Sequence, residues 1–160
     1  MIFVTLGSQK FQFDRLLQKI DELIEKGVIT QTVFAQTGYS GYVPKCFETA
    51  AFMDRDAFSE KMGQANTVIT HAGTGAIIGA VKKGKKVIAV PRQAKYGEHV
   101  DDHQTQIVEQ FSEMNLLEPC WEVDDLEKAY TAAMGKTYIS YQSNTHTIIE
   151  DIESYLEKAL

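Results

Sequence analysis

The spacing of apolar positions changes several times along the chain, and each change marks an element. Ile2, Phe3 and Val4 form a short apolar run that ends at Thr5 and enters Leu6-Gly7-Ser8, as a buried strand entering a tight turn does. The next apolar positions, Phe13, Leu16, Leu17, Ile20, Leu23 and Ile24, lie three and four apart. That stripe predicts an amphipathic helix, with Gly27 as its stop. A second strand is predicted over 30–36 and a loop over 37–44, punctuated by Gly38 and Gly41. A short strand near 50–53 then leads through Asp54 and Asp56, either of which caps a helix carrying Phe58 and Met62.

The centre of the chain reads most clearly. Strand 67–70, the turn His71-Ala72-Gly73-Thr74-Gly75, helix 76–83, Gly84 as its stop and strand 87–90 make a crossover whose two strands must run parallel. Pro91 closes that strand, and a polar loop precedes a helix through Ile107, Val108 and Phe111. Leu116 and Leu117 predict a last short strand, and helices are expected over 124–134 and 147–159, the latter opened by the Thr147/Glu150 capping pair. Alternating strands and helices predict an α/β fold: a Rossmann-like parallel sheet with helices on both faces. Residues 1–160 are expected to form one nucleotide-binding domain whose end, from about residue 124, is a helical tail.

Composition narrows the function. With 160 residues there is room for one core but not for an enzyme built from two full nucleotide-binding domains. The two cysteines, Cys46 and Cys120, lack metal-ligand spacing and read as reduced thiols. Residues 1–7 lack a basic flank and a cleavage pattern, and the apolar runs are strand-sized, so neither a secretion signal nor a membrane span is expected. The formal net charge of -6 disfavours nucleic acid as a partner. It conceals a basic stretch (Lys82, Lys83, Lys85, Lys86, Arg92, Lys95, against Glu98 alone) and an acidic segment from 111 to 160. The basic stretch is read as facing a phosphate-bearing ligand or an anionic membrane surface, with a solvated helix end and loop as the alternative.

In an open parallel sheet, ligands bind beyond the carboxyl ends of the strands. Gly73 and Gly75 let backbone approach a ligand closely, and the helix start behind them offers free N–H groups to an anion. The loop from Pro91 to Gln104 gathers Arg92, Lys95, Glu98, His99, Asp102, His103 and Gln104. His99 and His103 are four apart and His71 is a third imidazole, but the H-E-x-x-H order is absent, and ordinary hydrogen-bonding histidines are the simpler reading. Neither a Walker lysine motif nor G-x-G-x-x-G is present.

Gly7-Ser8, Thr70-His71-Ala72-Gly73-Thr74-Gly75, and Pro91 followed by Asp102-His103-Gln104 resemble the carboxyl-terminal, donor-binding half of GT-B glycosyltransferases of the MurG type, family 28. The string from Pro91-Arg92-Gln93 through Gly97-Glu98-His99-Val100 to Asp102-His103-Gln104 is similar to the small subunit of two-component transferases of bacterial capsule and exopolysaccharide synthesis. A small subunit in the eukaryotic dolichol pathway is similar too.

The resemblance implies a UDP-sugar donor and transfer of a hexose to a lipid-linked oligosaccharide held by a membrane-associated partner subunit. It implies no metal and no cofactor and a cytoplasmic location at the inner membrane face through that partner; whether the chain forms a homo-oligomer when alone is left open. By position it assigns Gly7 and Ser8 to donor phosphate and Met53 to the uracil. It sets Gly73, Thr74 and Gly75 against pyrophosphate and sugar, and Gln104 against the donor sugar, with His71, Arg92, Glu98, His99, Asp102 and His103 completing the site. The helix glutamate that holds ribose in the family aligns with Gly79, which passes that role to Glu98 or Asp102, or leaves donor affinity dependent on the partner. No general base is assigned.

Overall fold

The computed structural model describes residues 1–7, 10–98 and 103–138. Six strands, β1 (Ile2–Thr5), β2 (Val33–Gln36), β3 (Glu48–Ala50), β4 (Thr67–Thr70), β5 (Lys86–Ala89) and β6 (Glu118–Pro119), form one sheet in the order β3-β2-β1-β4-β5-β6. Every pairing is parallel, with Ile2 opposite both Val33 and Thr67, and Val68 opposite Val87. The order reverses between β1 and β4, so the loops after these two strands diverge and open a crevice.

Side chains alternate across the sheet and divide the core in two. Ile2, Val4, Ile69 and Ile88 pack with α1 (Asp14–Glu25) and α5 (Leu126–Gly135). Phe3, Val68, Val87 and Ala89 pack with α2 (Arg55–Gln64), α3 (Thr74–Lys82) and α4 (His103–Glu113). The expected stripe of α1 is buried, and Gly27 follows it at φ +76°. Asp54 caps α2 by accepting the Ala57 N–H at 2.8 Å.

Several boundaries move. α3 begins at Thr74, inside the glycine turn, and β3 ends at Ala50, which leaves Met53 in a loop. The last strand is Glu118–Pro119, while Leu116 and Leu117 are buried against the α2–α4 side. Apolar pattern alone does not separate a two-residue edge strand from the buried loop that feeds it. A one-turn 3₁₀ segment, Val123–Asp125, precedes α5. The helix expected over 147–159 lies outside the described residues. Among the described residues, no helix is long and apolar enough to cross a membrane.

The basic stretch has a structural explanation that differs from the phosphate-facing reading. Each crossover helix runs back against its strands, so helix carboxyl ends collect at the amino end of the sheet, away from the crevice. Lys85 Nζ donates to the Gly63 carbonyl of α2 at 3.1 Å, and Lys86 Nζ donates to Ala133 and Met134 carbonyls of α5 at 2.8 and 3.3 Å. Lys82 lies in the last turn of α3 itself. These cations satisfy terminal carbonyls and offset the negative ends of the helix dipoles. They do not face the crevice.

α1 also fastens the long connection between β2 and β3. Asp14 Oδ1 accepts the Gly41 and Tyr42 N–H groups at 2.8 and 3.0 Å. Asp21, only 3% exposed, accepts the Tyr42 hydroxyl at 2.6 Å and the Lys45 and Cys46 N–H groups at 2.9 and 3.0 Å. Burial would raise the Asp21 pKa, but these donors outweigh it and hold the carboxyl below its ordinary value. The same bond pushes the Tyr42 phenol up to about 12. Asp21→Asn is expected to destabilise by about 2 kcal/mol in urea unfolding. Because the Asp21 pKa is depressed on folding, its contribution is present above about pH 4 and is lost as pH falls through the folded value, so the variant's stability should decline less on acidification. For Tyr42 the sign is reversed: stability is lost as pH rises from 10.0 toward about 12.

Candidate functional site

The crevice is a cavity of about 470 Å³ lined by Thr5, Gly7, Gln36, Met53, Phe58, His71, Gly73, Gly75 and Ala76. Strands β1, β2 and β4 reach it through Thr5, Gln36 and the turn after Thr70. Thr5 Oγ1 donates to Gln36 Oε1 at 2.9 Å, and Gln36 Nε2 donates to the Gly7 and Ala51 carbonyls at 3.2 and 3.3 Å. One buried amide thus joins the loops that follow β1 and β3.

His71 fits between two glycines. A methyl group added at Gly7 would stand 2.7 Å from His71 Nε2, and one at Gly73 would stand 2.5 Å from His71 Cε1. Gly7 also has φ +73°, where a side chain is strained. Ala72, between the imidazole and Gly73, is held at φ 70° although it is not glycine, and it is fully buried. A left-handed alanine costs about 1 kcal/mol. This strained turn delivers the chain into α3 with His71 on one side and the helix start on the other.

Gly73 is the N-cap of α3 and supplies no side-chain cap. The amide donors of the first turn therefore point toward the cavity lined by Gly73, Gly75 and Ala76. With the positive end of the helix dipole, they suit an anion. The two walls, the Gly7 loop and the Gly73–Gly75 turn, are close enough for one imidazole to touch both.

The sequence-derived candidates separate into two groups. Gly7, Met53, His71, Gly73 and Gly75 line the cavity, and Thr74 is the first residue of the helix behind it. Arg92, Glu98 and Gln104 are buried and belong to a network behind the β1 and β5 loops. Arg92 is 1% exposed and donates to main-chain carbonyls, Glu98 is 0% exposed and paired with Arg15, and Gln104 Oε1 accepts the Arg92 N–H at 3.0 Å. Burial pushes the Arg92 guanidinium down to about 10. Burial also works against the Arg15 charge, but the hydrogen bond and charge of Glu98 prevail and raise its pKa.

Glu98 is therefore not available to hold a ribose, nor Arg92 to meet a phosphate. Lys95 is exposed and lies 3.7 Å from Glu122. Ser8, His99 and Asp102 lie outside the described residues; His103 opens α4, and its side chain lies outside them too. Thr5, Gln36, Phe58, Ala76 and Arg15 are additions. A glutamine closing an apolar strand was the available signal for Gln36; Arg15, on a helix with an evident apolar stripe, gave none.

A doubly wound parallel sheet with a crevice at its switch point is the architecture of the C-terminal half of GT-B glycosyltransferases. The chain belongs to the family of glycosyltransferase family 28 C-terminal domains, whose family model matches residues 1–158. It is 28% identical over 134 residues to the UDP-N-acetylglucosamine transferase subunit ALG13 of Mus musculus, and 29% identical over 132 residues to that of Homo sapiens. Each match covers 74% of this chain but only 10% and 11% of those longer proteins. Among solved structures, the glycotransferase of kitacinnamycin shares the fold with a TM-score of 0.62 at 17% identity, over 84% of this chain and 35% of that one. Acinetobacter baumannii MurG does so with 0.57 at 15%, over 82% and 40%.

The glycine–histidine packing makes a direct prediction. Gly73→Ala should destabilise by about 1–3 kcal/mol, and His71→Ala in the same chain should recover much of that loss. Gly75→Ala, where an added methyl meets nothing within 4 Å, should be neutral or stabilising by up to about 1 kcal/mol. Urea midpoints of the four proteins test the set.

Proposed function

We propose that the chain is the donor-binding subunit of a two-component glycosyltransferase that takes its sugar from a UDP-sugar. The observation that carries this reading is the uncapped start of α3 opening into the crevice between Gly7 and Gly73. The diphosphate lies against the first-turn N–H groups, His71 donates to a phosphate oxygen or a sugar hydroxyl, and the nucleoside extends toward Met53 and Phe58. The names of the ALG13 relatives, UDP-N-acetylglucosamine transferase subunits, make UDP-N-acetylglucosamine the first donor to test.

The reaction breaks the bond between the anomeric carbon and the diphosphate oxygen and forms one to an acceptor hydroxyl. The leaving UDP carries away the bonding pair, and the N–H groups and dipole of α3 stabilise its growing negative charge. The proton of the acceptor goes to a base on another polypeptide. Among the described residues, the exposed large apolar side chains include Tyr39, Phe52, Tyr96 and Trp121, in the segments that follow the carboxyl ends of β2, β3, β5 and β6. A second polypeptide, membrane-associated and bearing the acceptor half, covers that end. The Pro91–Gln104 signature supports a lipid-linked acceptor in capsule or exopolysaccharide assembly.

Calorimetry with UDP, on the chain alone and coexpressed with the product of the neighbouring gene, should detect binding. Gly75→Leu puts a side chain beside the cavity without breaking the helix, so UDP affinity should fall roughly tenfold with an unchanged urea midpoint. No UDP binding in either preparation overturns the donor role. Intact transfer activity of the complex with Gly75→Leu would instead favour a subunit that activates its partner without holding donor.

A further inference from the structure

Arg92 is among the largest fully buried side chains of the protein, yet among the described residues no carboxylate bonds to it. Its Nη2 donates to the Leu6 carbonyl. Its Nη1 donates to the carbonyls of Phe11 at 2.8 Å, Gln12 at 3.4 Å and Glu98 at 3.3 Å. Leu6 and Phe11–Gln12 bracket the loop between β1 and α1, so the guanidinium grips that loop at both ends. Glu98 lies in the segment that follows β5, so the same group joins the two loops. The guanidinium also lies 5.3 Å from the Phe13 ring centroid.

We propose that Arg92 is a positioning residue for the donor site: it holds the β1 loop against the β5 loop and so fixes the Gly7 wall of the crevice. The proposal rests on the donor reading above. Leu6, whose carbonyl it holds, directly precedes Gly7, and the Gly7 carbonyl is held from the other side by Gln36 Nε2 at 3.2 Å. The main chain at this wall is therefore fixed on both flanks.

A planar fork that donates in several directions can serve four carbonyls; an ammonium on a flexible stem cannot reproduce that pattern. The surrounding bonds brace the β5 loop and tie it to the β1 loop and to α1. Gln12 Nε2 donates to the Tyr96 carbonyl at 3.1 Å, the Gln93 N–H donates to Glu98 Oε1 at 3.1 Å, and Arg15 makes two bonds to Glu98 at 2.9 and 3.1 Å. Arg15 also covers the Tyr96 ring at 3.9 Å. Removing the guanidinium leaves buried carbonyls without a donor, and the loops must move to hydrate them.

Arg92→Lys and Arg92→Ala should be compared with the wild type by amide hydrogen exchange, by UDP and uridine calorimetry, and by urea unfolding. Faster exchange is expected at Phe13, Asp14, Gly97 and Glu98, together with a roughly tenfold loss of UDP affinity and little change for uridine. An equal loss for UDP and uridine, or opened loops with UDP affinity intact, overturns the positioning role and leaves a structural one. If Arg92→Ala does not fold, Arg92→Lys, which keeps charge and most of the bulk, decides. If the wild type binds no UDP, the donor reading has failed; unchanged exchange in Arg92→Lys then separately overturns the loop grip.

Discussion

All six strands point the same way, and the two ends of the molecule take their chemistry from that constraint. A parallel neighbour can be reached only by crossing back over the sheet, so each crossover helix lies antiparallel to the strands it joins. Helix starts and the loops that lead into them collect at one end; helix finishes collect at the other. The first end needs negative charge or open solvent, and the second needs cations. Lys85 and Lys86 supply the second requirement by bonding the last carbonyls of α2 and α5. At the first end the start of α3 is left uncapped, and the reversal of strand order between β1 and β4 clears the space in front of it.

How much of this could be read in the sequence followed from how local each signal was. The α1 stripe, the Gly27 and Gly84 stops, the Asp54 cap and the β4–α3–β5 crossover all depend on residues within a few positions of one another, and they appear in the fold as expected. So do the glycines of the crevice, since strand, glycine turn and helix form one continuous stretch. The basic stretch kept several readings open, and Arg92 gave no sign of its partners, because a charge in a polar loop looks alike whether it meets solvent, ligand or main-chain carbonyls. The carbonyls that hold Arg92 belong to residues 6, 11, 12 and 98, and any residue type presents the same carbonyl. Nothing in their identities marks them as partners.

The two polar networks do different work. Asp14 and Asp21 hold the connection to β3 through backbone N–H groups, so they accept. Arg92 holds the β1 loop through carbonyls, so it donates. Both start from rigid elements, a helix of three turns and the end of a core strand, and both fix segments with little apolar burial of their own. Both connections are thereby tied to the core by polar contacts.

The imidazole set between Gly7 and Gly73 also constrains how this site can change over generations. Neither glycine can gain a side chain while the histidine stays, and a smaller residue at position 71 leaves a gap between two backbones that have no side chains to fill it. The three positions thus form one heritable unit, and a lineage that leaves it by single steps must pass through a less stable intermediate. Divergence in this chain should accordingly gather on exposed side chains such as Tyr39 and Phe52, which lie outside the packing of the crevice.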